Sequence, residues 1–559
     1  MLTRALALLV AIALVTAACD TQTGPGPVAP TAAAEGGQPD PNGELITNMG
    51  SEPDTIDPHR ASFVGEIAVI MSVFEGLMTL DPKTLKAVPA AAAKDPVVSA
   101  DSKTWTFTLR DGLKFSDGTP LTARDFERGF LRTCDPATLG DYSFVLYIIE
   151  GCEDWNLMDP RKATAAELAA ARGRTGVKAL DEKTIEFKLR EPAAYFGSIA
   201  YMWVGMPVKA ESLEKGGEQW TEPATYIGNG PFKLVEWRHN QEMVFERNEL
   251  YWRGVPKLKR WTRVMYNEGA VAFAAYRAND LDVIGVAAED LRVVESDPEL
   301  KAQASDVSGS CTFYVGFNAS KPPFDDVKVR QAFARSFDRV SYVNDVQKLG
   351  TPANGGFIPP GIPGHDPNDE EQKFDPAAAK GLLAASTYAG QQVLQNMRFT
   401  YSSNARTKTR VEFLQQQWKT NLGIEVVPDP IDSTAYAQLV KSPETLPLMF
   451  ILGWCADYPH PQNWLTTVFH SGSLSRTGWT NPEFDQLTRQ ADQDPDEAKA
   501  LETYQKASRI LSREAPVAWL YYDAGKRLTK PWVGGITTTP IDATFGQFRL
   551  WEIYVTKKG

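Results

Sequence analysis

Side chains able to do covalent, acid–base or metal chemistry are few and scattered in this chain of 559 residues. The five histidines are His59, His239, His365, His460 and His470. No two of them stand four apart, the spacing that sets two imidazoles on one helix face for a metal. His460 and His470 share one segment and read as surface loop residues. The five cysteines, Cys19, Cys134, Cys152, Cys311 and Cys455, show neither Cys-x-x-Cys nor histidine clustering, so no metal site is expected. The patterns G-x-S-x-G, H-E-x-x-H, G-x-x-x-x-G-K-S/T and G-x-G-x-x-G are all missing from the sequence, and with them the commonest hydrolytic and phosphate-binding constellations. An enzyme is therefore not expected, and neither is a cofactor. What remains is thiol chemistry.

Cys19 has an acylation context. Arg4, the apolar run Ala5 to Val15 and then Thr16-Ala17-Ala18-Cys19 are laid out as an export signal whose apolar run is too short to span a bilayer. Small residues directly before a cysteine resemble the lipobox of bacterial lipoproteins, with Thr16 standing where that box usually has Leu. The expectation is a signal peptide over 1–18 and a lipid on Cys19 that holds the protein to the outer face of the cell membrane. Residues 19–42, rich in Pro, Gly, Ala and Thr without apolar periodicity, read as a flexible tether. Export places Cys134, Cys152, Cys311 and Cys455 in an oxidising compartment, where two disulfides are expected and the count alone allows three pairings.

The elements that must position any site are a mixture of strands and helices, which favours an α/β or α+β architecture. The length asks for two or three domains. Trp105-Thr-Phe-Thr-Leu-Arg110 alternates with period two before the turn signal Asp111-Gly112. The pattern D-x-K-T-x-x-F-x-L-R occurs at Asp101–Arg110 and again at Asp181–Arg190, which reads as two neighbouring strands of one sheet. A helix is predicted over 326–337, with Asp326 at its start and Val329, Ala332, Phe333 and Phe337 as its core stripe. Another carries Val411, Leu414 and Trp418 and stops at Gly423. The 14 tryptophans suggest a large pocket lined by indoles. With 70 acidic against 58 basic residues and a net charge of -12, nucleic acid is not an expected partner.

Several segments taken together resemble the oligopeptide-binding proteins, the extracytoplasmic receptors of bacterial peptide importers. They are Gly50-Ser-Glu-Pro-Asp-Thr-Ile-Asp-Pro-His59, Phe74-Glu-Gly-Leu77, Trp105-Thr-Phe107, Phe115-Ser-Asp-Gly-Thr-Pro120, Lys321-Pro-Pro-Phe-Asp-Asp-Val327, Gly453-Trp-Cys-Ala-Asp-Tyr458 and Lys530-Pro-Trp-Val-Gly-Gly535. The resemblance runs nearly end to end. It implies a large bilobed α/β fold of the periplasmic-binding-protein type, with an inserted extra domain and a hinge between lobes. Mapped here, lobe I covers 43–75, 201–310 and 523–559, the extra domain 76–200 and lobe II 311–522. A monomer is expected, capturing short peptides and delivering them to the permease and ATPase subunits of an ABC-type importer. The same fold could instead carry an oligosaccharide, an opine or a metal complex.

The resemblance also assigns residues. Asp457 would bind the α-amino group of the peptide, since an ammonium taken out of water must meet a carboxylate. Trp454 would line the cavity beside it, within the motif that also holds Gly453 and Cys455. Tyr142 matches a tyrosine that contacts the peptide, and Val64 a position whose backbone pairs with an extended ligand. Cys311 and Cys455 fall where the family has a disulfide, which leaves Cys134 to pair with Cys152. Where relatives hold the peptide carboxylate with basic residues, this chain has Ile451, Thr407 and Asp345 or Gln347, and Ser62 replaces an acidic residue. The carboxylate clamp is therefore expected to be altered or absent, and Ile451 would suit a protruding or modified peptide end.

Overall fold

The computed structural model describes residues 37–557 apart from 404 and 442–443. The expected leader, Cys19 and tether residues 19–36 lie outside the described residues. From Asp40 the chain is tied down, its N–H donating to the carbonyl of Val555 at 2.8 Å.

One large sheet of eleven strands organises the molecule. At its centre lie two long antiparallel strands, Ala304–Phe317 and Val517–Thr529. They pair from Ala304↔Leu528 to Ser308↔Ala524, shift register, and pair again from Thr312↔Tyr522 onward. A break of this kind leaves residues unpaired and lets the strands bend. On one side of it the sheet continues through Val283–Gly285, Glu44–Asn48, Arg260–Val264, Glu242–Arg247 and Phe232–Arg238. On the other it continues through Met449–Cys455, Met397–Ser402 and Val426–Ile431. The fold is a bilobed mixed α/β one, as the sequence predicts.

The predicted local elements follow from their apolar spacing. The two copies of the repeated pattern become the strands Thr104–Thr108 and Thr184–Lys188, paired antiparallel to each other in a four-stranded sheet. Phe107 and Phe187 interdigitate there edge to face and are fully buried. The helix Val327–Arg335 ends two residues earlier than predicted, and Val329, Ala332, Phe333 and Phe337 are all fully buried. Asp326 caps it by accepting from the N–H of Lys328 at 2.8 Å and also accepts from that of Thr387 at 2.6 Å. Asp326→Ala should cost about 1–2 kcal/mol, as loss of an N-cap does, read as a lower midpoint in urea unfolding. An unchanged midpoint would show that water replaces the cap without cost.

Trp418 of the helix Ala405–Leu422 is fully buried against Phe333, Phe337 and Phe399. Trp261, Trp464 and Trp519 are core residues too. The expected indole-lined pocket is therefore not where most of these rings go, because a large flat side chain gains more by complete burial.

The motif around Asp57 is a fastening. Asp57 accepts from both Nη atoms of Arg132 at 2.6 Å and from the indole N–H of Trp220. His59 Nε2 lies 3.1 Å from the Met206 carbonyl. Burial opposes the ionisation of Asp57, while hydrogen bonds from His59 and Arg132 and the Arg132 charge hold its carboxyl well below the usual range. The N-terminal segment is thereby locked to the helix Ala123–Cys134.

Candidate ligand-binding site

A cavity of about 1130 Å³ opens between the two sets of strands and is lined from both sides of the register break. It exceeds the roughly 300–1,000 Å³ of pockets for drug-sized ligands. Val64, Tyr142, Trp203 and Gly285 face it from one side, and Gly453, Trp454, Cys455, Asp457, Arg410 and Arg476 from the other.

The strand Met449–Cys455 supplies the central feature. Along one edge it pairs from Cys311↔Cys455 to Phe317↔Met449. Along the other, the strand Met397–Ser402 pairs only through Phe399↔Met449 and Thr400↔Phe450. From Ile451 to Cys455 that outer edge has no strand partner among the described residues. The Ile451 carbonyl accepts from the Tyr436 hydroxyl, and the stretch beyond it toward Cys455 is where an extended chain could pair. Gly453 is fixed by packing, since a Cβ there would lie 2.7 Å from the Phe313 ring. Cys455 is bonded to Cys311, and Cys134 to Cys152.

Asp457 follows directly after this free edge and is only 8% exposed. Asn463 Nδ2 donates to its Oδ2 at 2.8 Å, and the Tyr142 hydroxyl donates to Oδ1 at 3.1 Å. Its own N–H donates to Asn463 Oδ1, and its carbonyl accepts from the Tyr201 hydroxyl. Burial pushes the carboxyl up to about 6, against the opposing pull of these hydrogen bonds and of Arg476. It is thus an ionised, desolvated carboxylate at neutral pH, lacking a counter-charge within 4 Å among the described residues. Such a group attracts a cation strongly.

Tyr142 is held between Phe144 and Trp203 with ring centroids at 5.3 and 5.1 Å. Val64 is the first residue of the helix Val64–Val73 and is 60% exposed. At that position an N–H has no intrahelical acceptor, and here the residue faces the cavity. Trp454 donates its indole N–H to Asn463 Oδ1 at 3.3 Å. The predicted site residues thus converge on one cavity.

Of the positions expected to alter the clamp, Ser62, Thr407 and Gln347 line the cavity. Ile451 packs toward the core cluster of Val315 and Met449. Arg410, one turn beyond Thr407, donates to Gln347 Oε1 and lies 5.6 Å from the Tyr521 ring. Arg410 and Arg476 were not singled out by sequence, where a lone arginine has no periodic or motif signature. His460 corrects the expectation of a surface loop residue. Its ring packs against Tyr195 and Tyr504, and burial lowers its pKa to about 4.

A family model described as bacterial extracellular solute-binding proteins, family 5 Middle, matches residues 86–476. The chain is 30% identical over 526 residues to the periplasmic oligopeptide-binding protein OppA of Escherichia coli, covering 92% of each. Among solved structures, the unliganded open form of the murein tripeptide-binding protein MppA aligns with a TM-score of 0.78 at 28% identity, over 94% of this chain and 99% of that one. OppA of Haemophilus influenzae in complex with the peptide RPPGFSPFR aligns with a TM-score of 0.71 at 27% identity, over 93% and 100%.

Proposed function

Since the chain belongs to family 5 of the bacterial extracellular solute-binding proteins, we propose that it captures short peptides between its two lobes and hands them to the permease of an ABC-type importer. Lobe I comprises 43–75, 201–310 and 523–559, the extra domain 76–200 and lobe II 311–522. The strand crossing at Ser308–Thr312 is the hinge. A lipid on Cys19 anchors the protein outside the membrane, and no catalytic step is involved. The observation that carries this reading is a buried carboxylate, Asp457, at the head of an unpaired strand edge. The carboxylate takes the peptide ammonium and the edge pairs with its main chain, which every peptide offers whatever its sequence. Tyr142 and Asn463 position Asp457, Tyr142 and Trp454 wall the first residue, and the N–H of Val64 pairs with the ligand backbone.

The direct test is to purify the protein without its leader, denature it and identify by mass spectrometry what is released. Short peptides of mixed sequence support the reading. A single sugar, opine or metal complex defeats it and leaves only the receptor fold.

The electrostatics give a second test. Only the ionised carboxylate pairs with an ammonium, and an ammonium in place lowers the pKa from about 6. Peptide affinity should therefore fall as pH drops below about 6, approaching tenfold per pH unit, and stay level from about 6.5 to 7.5. Tyr142→Phe removes a donor to Asp457, so its decline should begin at a higher pH. Calorimetric titration across this range checks both, and an affinity constant down to about pH 4.5 would exclude Asp457 as the amine contact.

A further inference from the structure

We infer that Arg476 forms a subsite for an acidic side chain carried by one of the first two residues of the ligand, an inference that rests on the peptide reading above. Its guanidinium lines the same cavity as Asp457. The Nε is buried with no hydrogen-bond partner among the described residues, and no carboxylate there comes within ion-pairing distance. A buried donor left unmatched costs its full desolvation, so an acceptor from outside the chain is favoured there.

Arg476 favours the ionised Asp457 through space but makes no ion pair with it, and each Asp457 oxygen already accepts a hydrogen bond, one from Tyr142 and the other from Asn463. The guanidinium carbon instead sits 5.6 Å from the centre of the Trp454 ring. The cavity thus holds a negative and a positive pole side by side, each able to take its own partner.

The strand fixes which ligand atoms meet the positive pole. Side chains alternate along Met449–Cys455. Leu452 and Trp454 join the core cluster on one face, while Ile451 packs on the other. A peptide laid along the free edge alternates in the same way, and its ammonium is placed at Asp457. One of its first two side chains therefore points to the Trp454 face, where Arg476 waits. A carboxylate there makes a charge-assisted, bidentate-capable bond that a carboxamide cannot match.

The test uses tetraalanine and variants carrying one Glu or one Gln at the first, second or fourth position, with affinities read by calorimetry at pH 7. Glu at the first or second position should bind about 10- to 100-fold tighter than Gln at the same place, with no such gain at the fourth. R476Q should erase the difference and R476K keep part of it. Should R476Q not fold, the wild-type series and R476K still decide. Equal affinity for Glu and Gln at both early positions, or a preference that survives in R476Q, overturns the subsite while leaving the peptide reading intact. Failure of the wild type to bind tetraalanine or any of its variants overturns the peptide reading and this inference with it.

Discussion

Asp457→Asn is expected to weaken peptide binding at pH 7 by about 2–5 kcal/mol, some 30- to several thousand-fold. The substitution is nearly isosteric, and its surroundings can accept it. A side-chain amide at 457 can take the Asn463 N–H on its oxygen and donate to the Tyr142 hydroxyl, since that hydroxyl can reverse its role. What is lost is the charge. The peptide ammonium then enters a desolvated pocket with no carboxylate to meet it.

Folding stability should move the other way. The folded carboxyl titrates at about 6, against 3.8 for a freely solvated aspartate, so the folded protein holds this proton more tightly than the unfolded chain. The group's destabilising contribution is absent below pH 4, grows as pH rises to about 6, and is then constant at roughly 3 kcal/mol. The Asn variant should therefore be as stable as the wild type or more so at pH 7, and lose the wild type's decline between pH 4 and 6. Urea titrations at two pH values together with calorimetry separate the two effects. Tight peptide binding by the Asn variant, or equal binding of N-acetylated peptides by the wild type, would remove Asp457 from the amine contact.

The site was only partly legible in the sequence, and the division has physical causes. Elements set by local apolar spacing were readable: the helix stripe Val329, Ala332, Phe333 and Phe337 is fully buried as its period requires. Asp326 caps that helix because a short carboxylate beside a first turn has the unpaired backbone N–H groups as its nearest donors. Asp457 was reachable only through the motif that contains it. Nothing local marks it as desolvated, since its burial comes from Tyr142 and Tyr201 more than 250 residues away in sequence.

The free strand edge was not legible at all. It exists because Met397–Ser402 stops pairing at Thr400↔Phe450, a relation between distant segments. Arg476 and Arg410 were missed for the same reason. An arginine's significance depends on whether an acceptor lies nearby, and only the packed structure places Arg476 against Trp454. At Ile451 the chain has an apolar side chain where the resemblance implies a basic one, and the cations that line the cavity stand elsewhere in the chain.

Replacing both Cys311 and Cys455 by alanine should destabilise the protein by about 5 kcal/mol in the chain-entropy model, because the bond closes a loop of sequence separation 144. The same change at Cys134 and Cys152, with a separation of 18, should cost only about 3 kcal/mol. The order, long loop above short, is the diagnostic, and urea unfolding of the two double variants measures it. A larger loss from the short loop would mean that lost packing at Cys134 and Cys152, both fully buried, outweighs the unfolded-chain term. The long bridge also joins directly paired residues at the end of the free edge, beside the register break. Two residues beyond it stands Asp457, whose backbone is held separately by Asn463 and Tyr201. Those contacts survive the loss of the bridge. Peptide affinity of the Cys311/Cys455 variant, measured where it remains folded, should therefore fall by less than about tenfold, against the far larger loss in Asp457→Asn. If instead the bridge variant loses binding as completely, the disulfide and not the tyrosine and asparagine network sets the carboxylate's position.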